Sequence, residues 1–128
     1  MMILLVDDDP AICDLAADVL RTQGFSVLTA QSGLEAVSIW QSHRGEIGLL
    51  ITDMSMPGMD GQNLATHLAA DNCGIRVLFM SGEYWADLDN YREAAFLAKP
   101  FMPATLLAEV ERLMPREASV LHRGAAGD

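Results

Sequence analysis

Short apolar segments alternate with amphipathic ones along this chain. The apolar segments are hydrophobic at nearly every position, a pattern typical of strands that are buried on both faces of a parallel sheet. They are Met2–Val6, Ser26–Ala30, Gly48–Thr52, Ile75–Met80 and Ala95–Ala98. We therefore predict five buried strands.

The segments between and after these strands carry apolar residues at helical spacing. The clear stripes are Ile12, Leu15, Ala16, Val19 and Leu20; Leu34, Val37, Ile39 and Trp40; Leu64, Ala65 and Leu68; and Leu106, Leu107, Val110 and Leu113. Gly24 predicts the end of the first helix, and Pro103 suits the first turn of the last one. A further helix between the fourth and fifth strands keeps helical spacing but contains Asp87 and Asp89, which are poor helix formers. We expect this fourth helix to be short or irregular.

Strands that alternate with helices predict a doubly wound α/β fold, in which right-handed crossovers build a five-stranded parallel sheet covered on both faces. The length of 128 residues allows one compact domain, which we assign to residues 1–115. Residues 116–128 are small and polar, and we interpret them as a disordered tail or a truncated linker.

Composition narrows the class of partner. The net charge of −10 and the pI of about 4.5 disfavour binding to nucleic acid or to an anionic membrane surface. No apolar run is long enough to span a bilayer, and the apolar N-terminus lacks the basic flank of a signal peptide. Cys13 and Cys73 are too few and too isolated for a disulfide framework, so we expect free thiols and a cytoplasmic location.

Polar residues follow four of the predicted strands. Ligands of open parallel α/β sheets bind at the carboxyl ends of the strands, so these residues are expected to meet at one edge. The set comprises Asp7, Asp8 and Asp9 after the first strand, Asp53 after the third, Ser81 after the fourth, and Lys99, the only lysine, after the fifth. Each has a bland interpretation, as a helix cap, a loop hydroxyl or a solvated charge. Their joint placement favours a functional site.

The chemistry of such a cluster points to a metal ion and an anion. Two carboxylates at ~4 Å repel by about 4 kcal/mol at an effective dielectric near 20, so they stay ionised only beside a cation. Oxygen ligands without His or Cys favour Mg²⁺, which often holds a substrate phosphate as well. A carboxylate can attack phosphorus to form an aspartyl phosphate, and the transferred group needs a metal, an ammonium and a hydroxyl around it.

Several segments together resemble the receiver domains of two-component response regulators, the CheY-like superfamily. Asp53–Gly61 resembles the D-x-x-M-P-x-M-D-G segment of receivers at every defined position. The other matching segments are Val6–Asp9, Ser32–Ala36, Phe79–Gly82 and Lys99–Phe101. The resemblance covers residues 2–114 and implies a flavodoxin-like sheet with the strand order 2-1-3-4-5.

This resemblance implies a role for each matching position. Asp53 is the expected phosphoacceptor, which takes a phosphoryl group from the phosphohistidine of a sensor histidine kinase or a phosphotransfer protein. The expected magnesium site has Asp8 as a direct ligand and Asp7 holding a metal-bound water or an outer contact, with Asp53 and the Ser55 backbone carbonyl completing it. Lys99 resembles the cation that pairs with the acceptor and the phosphoryl oxygens. Ser81 is the expected switch hydroxyl. Phe96 is either a switch aromatic or plain strand core.

One departure from the family pattern lies between Ser81 and Lys99, which are eighteen positions apart, several fewer than is usual. The loss falls in the fourth helix, a face that often carries dimerisation and output contacts. A homodimer and a downstream protein partner therefore both stay open. The shortening favours an origin in a hybrid kinase over a single-domain regulator.

Three other functions deserve comparison. A HAD-like magnesium-dependent phosphohydrolase also uses an aspartate nucleophile, and Asp7-x-Asp9 fits its D-x-D spacing; but the residues after it do not match, and no cap insert is present. A phosphorylation-independent interaction module usually lacks the acceptor, an acidic residue or the lysine, all of which this chain has. A flavin-binding domain would need a Ser/Thr/Gly-rich loop after the first strand, where this chain has Asp-Asp-Asp-Pro. We expect a signalling receiver and not a metabolic enzyme, with catalysis limited to its own phosphorylation and dephosphorylation.

Overall fold

The computed structural model describes residues 1–72, 74–82 and 95–114. The strands in these residues are β1 (Met2–Val6), β2 (Val27–Ala30), β3 (Ile47–Asp53), β4 (Arg76–Ser81) and β5 (Ala95–Ala98). The helices are α1 (Pro10–Thr22), α2 (Gly33–Ser42), α3 (Gly61–Asp71) and α4 (Pro103–Leu113). Where helices are described, none is long and apolar enough to cross a membrane.

The strands form one sheet in the order β2-β1-β3-β4-β5, and every adjacent pair is parallel. The predicted α/β class and strand order are therefore confirmed. Because β1 lies inside the sheet between β2 and β3, the chain winds first to one side of β1 and then to the other. The carboxyl ends of β1 and β3 meet where this direction changes, which is where ligands bind in such sheets.

Side chains that alternate along the strands build two cores, one on each face of the sheet. In β1, Ile3 and Leu5 join the core under α1 and α4, whereas Leu4 and Val6 join the core under α2 and α3. All four are fully buried. Strands buried on both faces need apolar residues at successive positions, which explains the continuous hydrophobic runs in the sequence.

Local sequence signals set where the helices begin. Asp9, Ser32 and Asp60 are the N-caps of α1, α2 and α3, and each side chain accepts a hydrogen bond from a backbone N–H of the first turn. Pro10 and Pro103 occupy the first turns of α1 and α4. Each of these caps directs a helix start towards the edge of the sheet that carries the polar cluster.

Several strand bounds and the exposure of two side chains differ from the sequence predictions. Strands β3 and β4 end one residue later than predicted, with Asp53 and Ser81 themselves, because the parallel ladder continues from Asp53 to Met80 and from Ser81 to Ala98. The starts of β2, β3 and β4 each differ from the prediction by one residue. Leu15 and Leu34 belong to the predicted apolar stripes, but they are 49% and 76% exposed. Neither residue belongs to the two hydrophobic cores.

The predicted fourth helix falls within residues 83–94, and the predicted tail begins beyond residue 114. Both lie outside the described residues, as does Cys73. Cys13, by contrast, is buried and carries a free thiol, as predicted.

Candidate functional site

The acidic cluster lies where β1 and β3 end. Asp7 follows β1 and is fully buried, Asp53 ends β3 and is also buried, and Asp8 is exposed. One carboxylate oxygen from each of the three lies within 4.8 Å of the others. The structure therefore brings together the three carboxylates that the sequence placed after different strands.

Lys99 reaches this cluster from the end of β5. Its Nζ donates a hydrogen bond to Asp7 Oδ2 at 2.8 Å and lies 3.3 Å from Asp53 Oδ2. Its backbone N–H donates to the carbonyl of Ser81 at 2.8 Å, which continues the β4–β5 ladder and fixes the root of the side chain. The resemblance implied a pair between Lys99 and the acceptor, and the structure adds that the shorter contact is with Asp7.

Burial and charge act in opposite directions on the acceptor. Burial raises the pKa of Asp53, the Lys99 ammonium lowers it, and the Asp7 carboxylate raises it again; the net direction is upward. For Lys99, burial lowers the pKa, but the hydrogen bond and charge of Asp7 together with the charge of Asp53 outweigh it and leave the pKa raised. The lysine is thus held firmly in its ammonium form beside a carboxylate that is costly to ionise.

The cluster fits a hard dication. Three carboxylates and one ammonium carry a net charge of −2 when all are ionised. The donor set is oxygen only, which suits Mg²⁺. Octahedral Mg²⁺ binds oxygens at ~2.1 Å, so its ligand oxygens lie about 3 to 4 Å apart, and one oxygen of each carboxylate lies within 4.8 Å of the other two. The residues present therefore fit a magnesium ion.

The backbone around the cluster is ordered by the same carboxylates. Asp7 Oδ1 accepts the N–H of Asp9 at 2.9 Å, and Asp53 Oδ1 accepts the N–H of Ser55 at 3.3 Å. The second bond turns the loop after β3 so that Ser55 lies next to the acceptor. Asp9 is not one of the clustered carboxylates, because its side chain caps α1 through Ala11 N–H at 3.0 Å.

Ser81 and Phe96 occupy the neighbouring strands. Ser81 is a buried residue at the end of β4, in register with Ala98, the residue before Lys99. Phe96 is partly buried in β5, and its ring meets Phe79 edge to face at a centroid distance of 6.3 Å. Ser81 is therefore at the edge of the sheet that holds the cluster, whereas Phe96 packs against the core.

Two residues at the site were not singled out from the sequence. Thr52 is fully buried, and its Oγ1 donates to the carbonyl oxygen of Asp53 at 3.0 Å. Gly61 approaches that same carbonyl so closely that an added Cβ would collide with it. The only sequence signal for Gly61 was its place in the matched segment, and Thr52 had none beyond strand propensity.

Fold and site together define an α/β domain that presents a carboxylate cluster at its switch point. A family model for the response regulator receiver domain matches residues 3–111. Over 123 residues the chain is 31% identical to sporulation initiation phosphotransferase F of Bacillus subtilis, and this alignment covers 91% of the chain and 96% of that protein. The chain belongs to the family of response regulator receiver domains.

One further relative is a much larger protein, and the structure of another was determined as a complex with Mg²⁺. The chain is 30% identical over 119 residues to the sensor kinase CckA of Brucella abortus. This alignment covers 90% of the chain but only 13% of that kinase. A crystal structure of the response regulator protein TrrA from Thermotoga maritima, in complex with Mg²⁺ and BeF, matches with a TM-score of 0.78 and 29% identity. It covers 89% of this chain and 100% of that chain.

Proposed function

We propose that Asp53 is the phosphoacceptor of this receiver and that it takes a phosphoryl group from the phosphohistidine of a sensor kinase or phosphotransfer protein. The observation that carries this proposal is the Asp53 carboxylate at the end of β3, 3.3 Å from the Lys99 ammonium and clustered with Asp7 and Asp8. An Asp53 oxygen forms a bond to phosphorus while the N–P bond breaks. The imidazole nitrogen leaves with that electron pair and is protonated.

Magnesium would be held by Asp7, Asp8, Asp53 and the backbone carbonyl of Ser55. When bound, it supplies positive charge that offsets the negative charge on the transferred phosphoryl oxygens. Support comes from the oxygen-only donor set and from the magnesium complex of the TrrA relative. The 2.8 Å contact between Lys99 Nζ and Asp7 Oδ2 supports a site in which the lysine lies beside the proposed ligands.

Lys99 pairs with the acceptor before transfer and with a phosphoryl oxygen after it, since its Nζ lies within 3.3 Å of Asp53 Oδ2. Ser81 serves as the switch hydroxyl, because it ends the strand next to β3 at the same edge of the sheet. Phe96 serves as the switch aromatic, because its ring can change its packing against Phe79 when Ser81 moves. Phosphorylation then shifts a pre-existing equilibrium in the loops after β3 and β4.

The natural setting is two-component signalling in the cytoplasm, with a kinase or phosphotransfer protein upstream and a protein partner downstream. The acidic charge of the chain supports protein partners over nucleic acid. The relatives include both arrangements that the sequence left open, a domain of a large sensor kinase and a protein of nearly the same length as this chain.

The proposal is tested by intact mass after treatment with a small phosphodonor and Mg²⁺. Wild type is expected to gain the mass of one phosphoryl group, and Asp53→Asn to gain none. Asp60→Asn is the matched control, because Asp60 lies in the same loop but caps α3 and should leave labelling unchanged. The proposal is contradicted if wild type gains no phosphoryl group, or if Asp53→Asn is labelled as much as wild type.

Asp53→Asn together with Asp7→Asn separates a receiver from a phosphohydrolase. A phosphohydrolase that uses Asp7 as nucleophile would turn over generic phosphate esters steadily, would retain activity in Asp53→Asn and would lose it in Asp7→Asn. A receiver is labelled once per chain on Asp53.

A further inference from the structure

The backbone carbonyl of Asp53 lies between two neighbours, Thr52 and Gly61. On one side, the hydroxyl of Thr52 donates to the carbonyl oxygen at 3.0 Å. Thr52 and Asp53 are both buried residues, so this hydrogen bond lies in the protein interior. The carbonyl belongs to the last residue of β3, where the ladder to β4 is about to end.

On the other side, α3 begins directly against the same peptide. A Cβ on Gly61 would lie 3.0 Å from the Cα of Met54 and 3.1 Å from the carbonyl carbon of Asp53, and it would collide with the carbonyl oxygen. The backbone N–H of Gly61 also donates to the carbonyl of Met54 at 3.0 Å. Met54 in turn donates its N–H to Met80 at 2.9 Å. The obstacle to a side chain at position 61 is backbone, which cannot rotate away.

We infer that Thr52 and Gly61 are positioning residues for the acceptor; this inference rests on the proposed role of Asp53. The peptide after Asp53 is fixed by the Thr52 hydroxyl and by the close approach of the Gly61 Cα, so the backbone of Asp53 has little rotational freedom. Its Cβ direction, and therefore the position of its carboxylate relative to Lys99 and the magnesium ligands, is set by these contacts. Both residues act through the main chain of Asp53.

This placement matters because phosphoryl transfer depends mainly on positioning and electrostatics. A displacement of ~1 Å at a reacting group costs up to about 10²-fold in rate. In Gly61→Ala, the start of α3 and the end of β3 must separate, which moves the acceptor. In Thr52→Val, a buried carbonyl loses its donor, so the peptide after Asp53 gains freedom to rotate.

The test measures two properties of the folded protein: the magnesium dissociation constant by titration calorimetry, and the initial rate of labelling by phosphoramidate at saturating Mg²⁺. Gly61→Ala is expected to lower the labelling rate about tenfold or more and to weaken magnesium binding, with a smaller loss of both in Thr52→Val. Thr52→Ser keeps the hydroxyl and should restore wild-type values.

Two controls separate positioning from stability. Gly74→Ala changes a glycine whose added Cβ would meet only Asn72 Oδ1 at 3.5 Å, an ordinary contact. Ala70→Gly weakens α3 at an exposed position away from Asp53. Both should keep the rate and the magnesium affinity of wild type once corrected for the folded fraction.

The inference is overturned if Gly61→Ala and Thr52→Val match Ala70→Gly in both readouts. Should Gly61→Ala fail to fold, Thr52→Val and Thr52→Ser decide alone: equal rates and affinities in those two refute the role of the hydroxyl and with it the proposal. If wild type gains no phosphate at all, the proposed function fails, while magnesium affinity still tests whether these residues place the carboxylate.

Discussion

The ionised form of Asp53 is stabilised by the Lys99 ammonium but destabilised by burial and by the nearby Asp7 carboxylate. The net effect raises the pKa of Asp53. A carboxyl group with a pKa higher in the folded than in the unfolded protein binds more protons when folded. Stability therefore falls as the pH rises from the unfolded pKa through the folded one, and the loss persists above that window. The acceptor thus lowers the stability of the magnesium-free protein at neutral pH.

Asp53→Asn should therefore raise the unfolding midpoint at pH 7 in the absence of divalent ions. The gain should shrink towards zero at acid pH, where Asp53 is protonated in both states. Thermal unfolding followed by circular dichroism at several pH values measures this. Asp14→Asn, at an exposed position of α1, is the control and should change little. A variant that is less stable than wild type at pH 7 would contradict the argument.

At the scale of elements, the start of α3 is fixed by Asp60, whose side chain accepts the N–H of Asn63 at 2.8 Å. Asp60→Ala should cost about 1 kcal/mol of unfolding free energy, as the loss of an N-cap typically does, whereas Asp60→Asn keeps an acceptor and should cost only a few tenths. Chemical denaturation of both variants makes the comparison. Equal losses would show that the cap bond is not the cause.

The elements also show how far sequence reasoning reaches. Strands and helix starts follow from local signals, so β1, β5 and the start of α4 at Pro103 were predicted closely. Contacts that depend on the packing of distant elements cannot be predicted from such local signals. Leu34 fits a helical stripe yet is exposed, and no local pattern reveals that Arg76 donates to the carbonyl of Leu113 at 2.6 Å, 37 positions away.

The candidate site divides in the same way. Asp53, Ser81 and Lys99 could be predicted because the topology brings strand ends to one edge. The preference of Lys99 for Asp7 over Asp53 depends on side-chain distances that only the assembled sheet defines. The contact of Gly61 with the Asp53 carbonyl likewise depends on how closely α3 packs on β3.

For the whole molecule, a cluster with a net charge of −2 should couple magnesium to stability. A ligand that binds only the folded state adds about 2.7 kcal/mol at a concentration 100 times its dissociation constant. We expect the unfolding midpoint to rise with the logarithm of the Mg²⁺ concentration. Asp8→Asn should move this rise to higher Mg²⁺ concentrations, and NaCl at matched ionic strength should not reproduce it. An unfolding midpoint that does not change with the Mg²⁺ concentration would contradict the proposed metal site.

Cys13 offers an independent measure of global opening. It lies on the buried face of α1, and burial raises the pKa of its thiol to about 11. In a Cys73→Ser background, alkylation of Cys13 by iodoacetamide should therefore be far slower than that of the unfolded chain, and Mg²⁺ should slow it further by stabilising the folded state. Rapid labelling of the folded protein would show that α1 opens locally.

The presence of a single lysine in the chain has a practical consequence. Incorporating isotope-labelled lysine marks one residue of the protein, and that residue is Lys99, which lies within 3.3 Å of two carboxylates of the site. One side-chain signal in a magnetic resonance spectrum would then follow magnesium binding and phosphoryl transfer directly, without assignment of the rest of the molecule.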